Sequence, residues 1–177
     1  ESVRHIVGVQ FRNLATVGGS LYGRYGFSDV LTLFLALGAK VRLYHAGEVE
    51  LADYVDQKPD RDVLEAVILP KKVEGCSYQC IRNSETDFPV LTCCMAKVDG
   101  VYQGTIGARP GCAVLFRDEN GLLKDGITGE SAAAFADYVR THVVTGSNYR
   151  AGAEYRRKMA GVLTKRALMA IEEGGLN

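Results

Sequence analysis

The segment Thr16-Val17-Gly18-Gly19-Ser20 has the residue types of an anion-binding turn. Paired glycines let the backbone approach a ligand closely. Consecutive N–H groups can then form a concavity for phosphate, with the hydroxyls of Thr16 and Ser20 beside it. A Gly-Gly turn also has a purely structural reading, because turns are where glycine usually serves. Asp29 follows, at the start of an expected helix. Its carboxylate has two competing uses, capping the helix or accepting hydrogen bonds from ligand hydroxyls.

Other chemistries find less support. The three histidines, His5, His45 and His142, have no Ser/Asp or Cys partner nearby in sequence, so no nucleophilic triad is legible and no catalytic residue is assigned. There is no HExxH, no DxDxDG and no Walker lysine. The five cysteines are Cys76, Cys80, Cys93, Cys94 and Cys112. Their spacing makes no matched CxxC pairs, so a zinc or iron–sulfur site is poorly supported and no metal ligand is assigned. The odd count favours free thiols in a reducing compartment, the cytoplasm. The basic run Arg150, Arg156, Arg157, Lys158, Lys165 and Arg166 is mixed with Glu154 and apolar positions. It reads as a solvated helix face, the alternative being a docking face for an acidic partner.

These residues need elements to hold them. Val7–Phe11 reads as a short extended piece, and Ala15–Ser20 as a turn. Ser28 or Asp29 can cap a helix over Val30–Leu37, apolar nearly all round and therefore buried. Gly38 stops it. Lys40–Tyr44 and Val49–Leu51 form a hairpin, Asp53–Asp62 a polar connection with Pro59, and Val63–Leu69 a strand ended by Pro70. Lys71–Gly75 is a connection, with a boundary near it. Strands are then expected over 78–82, 90–98, 101–106 and 112–117, with a tight hairpin at Asp99-Gly100. Two helices close the chain, over 129–143 behind a Thr128 cap and over 147–173 before Gly174-Gly175. The second part is antiparallel β followed by αα, an α+β layer.

The 177 residues, 47% hydrophobic and 24% charged, describe a globular chain of one domain or two small ones. Lys+Arg and Asp+Glu both number 21, which argues against a nucleic-acid partner, since such binders carry a basic excess. The longest apolar stretch, Val30–Leu37, is far short of the roughly 18–20 residues that span a bilayer, so no membrane partner is expected. The start, Glu1-Ser2-Val3-Arg4-His5, lacks the basic-then-apolar pattern of a secretory leader. It opens on Glu1, so it reads as processed or trimmed.

The order of several motifs is more specific than any one of them. Arg12–Leu21, Phe27–Leu31 and Ala36–Val41 together resemble the FAD-binding (medium, flavoprotein) subunits of molybdenum hydroxylases of the xanthine dehydrogenase and carbon monoxide dehydrogenase type. Asp62–Pro70 resembles the family's strand ending in Ile-Pro. Tyr78–Val90 is similar to the opening of its C-terminal flavoprotein domain, and Gly152–Arg157 with Val162-Leu163 and Arg166–Leu168 to its final helix. The resemblance implies an α+β chain: residues 1–72 as the C-terminal part of a PCMH-type FAD-binding domain, and 73–177 as a carbon monoxide dehydrogenase flavoprotein C-terminal-like domain with an antiparallel sheet plus helices.

It also implies roles. Thr16, Val17, Gly18, Gly19 and Ser20 would wrap the FAD pyrophosphate and nearby ribityl, and Asp29 would bind flavin-side hydroxyls. Leu64 would pack by the isoalloxazine ring, Arg82 would stand near the flavin, and Ile6 would pack beside the cofactor. The implied partners are a molybdenum-cofactor subunit and a 2Fe-2S subunit. Electrons would pass from iron–sulfur clusters through FAD to NAD or another acceptor, the redox chemistry being the cofactor's. Two departures stand out. Family members begin with a subdomain bearing a second Gly-rich loop, whereas Arg4–Asn13 already resembles the stretch just before the Thr16 motif. The expectation is that this polypeptide alone binds FAD weakly or not at all. The alternative function is a non-catalytic fragment or docking scaffold. The other departure is Gly23–Phe27, where Arg24 and Tyr25 can face either cofactor or partner.

Overall fold

The computed structural model describes residues 1–58 and 61–174. Helices α1 (Val9–Arg12), α2 (Val17–Tyr22) and α3 (Asp29–Ala36) come first. The extended piece over Val7–Phe11 and the turn over Ala15–Ser20 are thereby corrected to short helices. Thr16 is extended (φ −113°, ψ 148°) and its hydroxyl accepts the Gly19 N–H at 3.0 Å. That cap starts a helical turn across two glycines, and fully buried Leu21 anchors its far end in the core.

A three-stranded antiparallel sheet follows, formed by β1 (Lys40–Leu43), β2 (Gly47–Glu50) and β3 (Leu64–Ile68) in the order β2-β1-β3. Helix α4 (Leu51–Asp56) lies between β2 and β3 in the chain, where the sequence reads as the end of a strand and a polar connection. Leu51 and Tyr54, three apart on one helix face, are both buried. Pro59 of that connection lies outside the described residues.

The second sheet is an antiparallel meander of β4 (Val73–Ile81), β5 (Leu91–Val98), β6 (Val101–Gly107) and β7 (Val114–Arg117). Strand β4 starts earlier than expected, after which its register with β5 shifts between Val73 and Gly75. Asp99 and Gly100 take φ of 49° and 80°, the left-handed pair of a tight hairpin.

Both faces of β5 are buried. Leu91, Cys93 and Met95 pack with α5 (Gly129–His142) and α6 (Ala153–Glu172) in one core. Cys94 and Ala96 face the other way and pack with Ala36 of α3. Helix α3 is therefore buried between the two sheets, as its all-round apolar character requires. Its polar atoms are matched: Thr105 Oγ1 donates to Thr32 O at 2.6 Å, Gln103 Nε2 donates to Ala36 O at 2.8 Å, and the Thr32 and Thr92 hydroxyls lie 3.0 Å apart. Gly107 permits this approach, since a Cβ there would collide with both threonine hydroxyls.

Helix α5 begins with a capping box between Thr128 and Ser131. Helix α6 begins at Ala153 rather than Ser147. The reading of its basic residues as a solvated face is corrected at Arg156, which is 0% exposed. Arg156 Nε donates to Val90 O at 2.8 Å, and Nη1 donates to Gly146 O at 2.8 Å and Ala151 O at 2.6 Å. Nη2 donates to Asn148 Oδ1 at 2.6 Å. Burial pulls this guanidinium below its ordinary range, and these four acceptors hold it in place. Gly174 is left-handed after α6 (φ 88°); Gly175 lies outside the described residues.

Candidate functional site

A cavity of about 560 Å³ opens beside the start of α3 and the end of β4. Thr16, Gly19, Ser20, Asp29 and Arg82 line it, as does Ile6. The fold thus gathers most of the candidate residues around one space. Val17, Gly18 and Leu64 do not line it. Leu64 packs behind α2, where a Cβ on Gly18 would lie 3.9 Å from Leu64 Cδ2. The Thr16 segment is a capped helical turn rather than an open nest. The Gly19 N–H is taken by the Thr16 hydroxyl and the Ser20 N–H by Thr16 O.

The competition at Asp29 is resolved by its neighbour. Ser28 caps α3, its hydroxyl oxygen accepting the Leu31 N–H at 3.1 Å. Asp29 is therefore the first helical residue, and its carboxylate is free to turn into the protein. Its Oδ1 accepts from the Tyr78 hydroxyl at 2.5 Å and from Arg82 Nη2 at 2.6 Å. The Asp29 and Arg82 side chains are only 5% and 7% exposed. Burial opposes the Arg82 charge, but the Asp29 carboxylate outweighs it and holds the guanidinium above its ordinary range. Burial, reinforced by the Asp29 charge, pushes the Tyr78 phenol well above its usual range.

Arg82 Nη1 also donates to Asp87 O at 2.6 Å. The Asp87 carboxylate in turn accepts from Arg150 Nη2 at 2.7 Å and Nε at 3.1 Å, and that contact holds Asp87 below the usual carboxylate range. A continuous polar chain therefore runs from Tyr78 through Asp29, Arg82 and Asp87 to Arg150. Above it the rim is aromatic. Phe27 stacks on Tyr25 with centroids 5.2 Å apart and meets Phe88 at 4.4 Å. All three rings are exposed. Arg24 turns away, donating to Gln57 O and lying 4.0 Å over the Tyr54 ring.

Sequence reasoning missed Tyr78 as the partner of Asp29, the Asp87–Arg150 pair, and the rim aromatics Phe27 and Phe88. The partners are 49 and 63 residues apart, so no local spacing pairs them. The cluster of Tyr25, Phe27 and nearby Arg24 was the one available signal.

Behind the wall, Arg82 Nε is buried without a nitrogen or oxygen partner among the described residues. A buried donor left unsatisfied is costly, and the Cys80 side chain beside it offsets part of that cost. Aromatic and aliphatic walls suit a flat ring system, while Ser20, Asp29 and Arg82 suit its hydroxyl and anionic parts. The residues present fit an FAD molecule. Among the described residues, no cluster of His, Cys, Asp and Glu is arranged to hold a metal, and no helix is long and apolar enough to cross a membrane.

Residues 1–72 match the family described as the FAD binding domain in molybdopterin dehydrogenase. In structure the chain is similar to a chain of carbon monoxide dehydrogenase from Hydrogenophaga pseudoflava, with a TM-score of 0.83 at 22% identity. That match covers 97% of this chain and 66% of that one. A chain of quinoline 2-oxidoreductase from Pseudomonas putida 86 matches with a TM-score of 0.79 at 18% identity, over 99% of this chain and 67% of that one. In sequence the chain is 24% identical over 163 residues to the uncharacterized protein YgfM of Escherichia coli K12, covering 92% of this chain. It spans 61% of the length of that relative.

Proposed function

We propose that this chain supplies one wall of the FAD site in a molybdenum hydroxylase. The observation that carries the reading is the Tyr78–Asp29–Arg82 cluster on a cavity wall, at the junction between the matched FAD-binding segment and β4. FAD, when bound, supplies the exchange of electrons between a donor centre and an acceptor. The chain's own residues bind and orient. Asp29, freed from capping, accepts from ligand hydroxyls while Tyr78 and Arg82 hold it still. Arg82 presents positive charge to the cofactor. Thr16, Gly19 and Ser20, which line the cavity, carry the pyrophosphate side, with Val17 and Gly18 shaping the turn that presents them. Ile6, Phe27 and Phe88 exclude water from the ring, and Leu64 backs α2 from behind.

In this reading residues 1–72 form the FAD-binding unit and 73–177 the flavoprotein C-terminal unit, supported by the break between the two sheets. A molybdenum-cofactor subunit and a 2Fe-2S subunit are the partners, with NAD or another acceptor downstream. The five unpaired thiols fit a cytoplasmic setting. The test is flavin content. The protein purified in its native assembly is expected to carry FAD at about one per chain, and Asp29→Ala to lose most of it while the fold is kept by circular dichroism. A colourless native protein, or full flavin retention in Asp29→Ala, overturns the proposal.

A further inference from the structure

The inner face of β4 and β5 carries a feature that the flavin reading does not use. Cys76 Sγ and Cys94 Sγ lie 3.6 Å apart. They come from adjacent strands, but not from directly opposed positions: Cys76 pairs with Ala96, and Cys94 with Tyr78. We infer that Cys76 and Cys94 are a peroxide-oxidisable thiol pair that closes reversibly into a disulfide across the two strands.

Three observations carry this. First, the two sulfurs touch; Cys80 is also diagonal to Cys94 on β4, but it is the Cys76 sulfur that lies at 3.6 Å. Cys93 points to the opposite face, 3.7 Å from Thr164 Oγ1, so the residue adjacent to Cys94 does not compete. Second, accessibility is divided between the partners: Cys76 is partly exposed and Cys94 is buried. That is the arrangement of an attacking thiol with a resolving thiol behind it. The hydrogen bond from Cys94 holds the Cys76 thiol below its ordinary range despite burial, and the same bond with burial raises Cys94 well above. Third, the strand can give where it must. Diagonal neighbours on a sheet have Cα atoms about 7–8 Å apart, whereas disulfides need roughly 4.4–6.8 Å. Closure therefore requires local shear, and the register shift between Val73 and Gly75 lies just before Cys76. A disulfide closed against such strain is easily reduced, which makes the bond reversible.

The chemistry balances with hydrogen peroxide as oxidant. The Cys76 thiolate attacks one peroxide oxygen; the S–O bond forms, the O–O bond breaks and hydroxide leaves. The Cys94 sulfur then attacks the sulfenic sulfur of Cys76; the S–S bond forms, the S–O bond breaks, and the hydroxyl departs as water with the Cys94 proton. Two thiols and one peroxide become one disulfide and two waters. The inference does not depend on FAD being bound.

The test is peptide mapping by mass spectrometry without reduction. The native protein is treated with hydrogen peroxide at neutral pH and its remaining thiols are blocked with iodoacetamide. The expected result is a peptide linked through Cys76 and Cys94, lost again on adding dithiothreitol. In Cys94→Ser, Cys76 is expected to be trapped by dimedone as a sulfenic acid. The inference is overturned if the wild-type protein gives no such linked peptide, if the bond joins a different pair, or if dimedone fails to label Cys76 in Cys94→Ser.

Discussion

Replacing Asp29 with asparagine removes one charge and almost no volume. Asp29 Oδ1 accepts from both Tyr78 and Arg82 at 2.5 and 2.6 Å, in surroundings where Asp29 and Arg82 are 5% and 7% exposed. The Arg82 charge would then stay buried without its carboxylate, and its Nε already lacks a nitrogen or oxygen partner among the described residues. Breaking a buried pair from one side costs about 3–5 kcal/mol. A Coulomb estimate for charges about 4 Å apart, at an effective dielectric of 20, is of the same order, about 4 kcal/mol. Urea denaturation reads this directly. With an m-value of about 2 kcal/mol per molar, the Asp29→Asn midpoint should fall by about 2 M. Asp29→Asn combined with Arg82→Met should recover part of the loss, since no charge is then stranded. A loss below about 1 kcal/mol, the range of exposed ion pairs, would refute the view of Asp29 as the hub of a buried network. Tyr78 gives a check on sign. Its folded-state pKa is raised, so its contribution is complete below the ordinary tyrosine value of about 10 and is lost as pH rises through the folded-state value. Tyr78→Phe should flatten that alkaline loss.

Arg156→Met is expected to destabilise by about 2–4 kcal/mol, because it strands the buried carbonyl of Val90 and the half-buried carbonyls of Gly146 and Ala151. Lys158→Met, on the exposed side of the same helix, should stay within about 0.5 kcal/mol by the same urea assay. The Cys93 thiol, pushed up to about 12 by burial, should resist iodoacetamide at neutral pH in the folded protein and react at once in urea. Asp62 and Asp87 are both held below the ordinary carboxylate value of 3.8. Burial opposes the shift at Asp62, where three backbone N–H bonds overcome it; at Asp87 the Arg150 contact is the largest cause. Their contribution is present above that ordinary value and disappears as pH falls through the depressed one. Arg150→Gln should therefore make stability fall less steeply with acid, as read by denaturation at stepped pH.

What the chain's local pattern made legible was local. Ser28 or Asp29 starts α3, Asp99-Gly100 turns β5 into β6, and Thr128 caps α5; each depends on side chains within a few residues of one another. The strand expected over 90–98 is legible from its small and apolar residues, which do not alternate because β5 is buried on both faces. Patterns too short to carry a period failed. Helix α4 is six residues long and α2 crosses two glycines, so tertiary burial of Leu21, Leu51 and Tyr54 decides what propensity leaves undecided. The site shows the same division. Asp29 stands out by its place at a helix start after a Gly-Gly turn, and Arg82 only through resemblance. Their bond to each other, and to Tyr78, is long-range and was invisible. Arg156 was misread for a related reason: helical spacing places a residue on a face, but the loop at 146–151 that covers that face comes from folding.

Whether the Asp29–Arg82 wall holds FAD, as proposed, is read from a structure of the native assembly with FAD. The cofactor is expected in the cavity beside Thr16–Ser20, with a hydroxyl within hydrogen-bond distance of the Asp29 carboxylate and an acceptor within reach of Arg82. Cofactor bound elsewhere, or bound with Asp29 and Arg82 out of contact, would contradict the proposal.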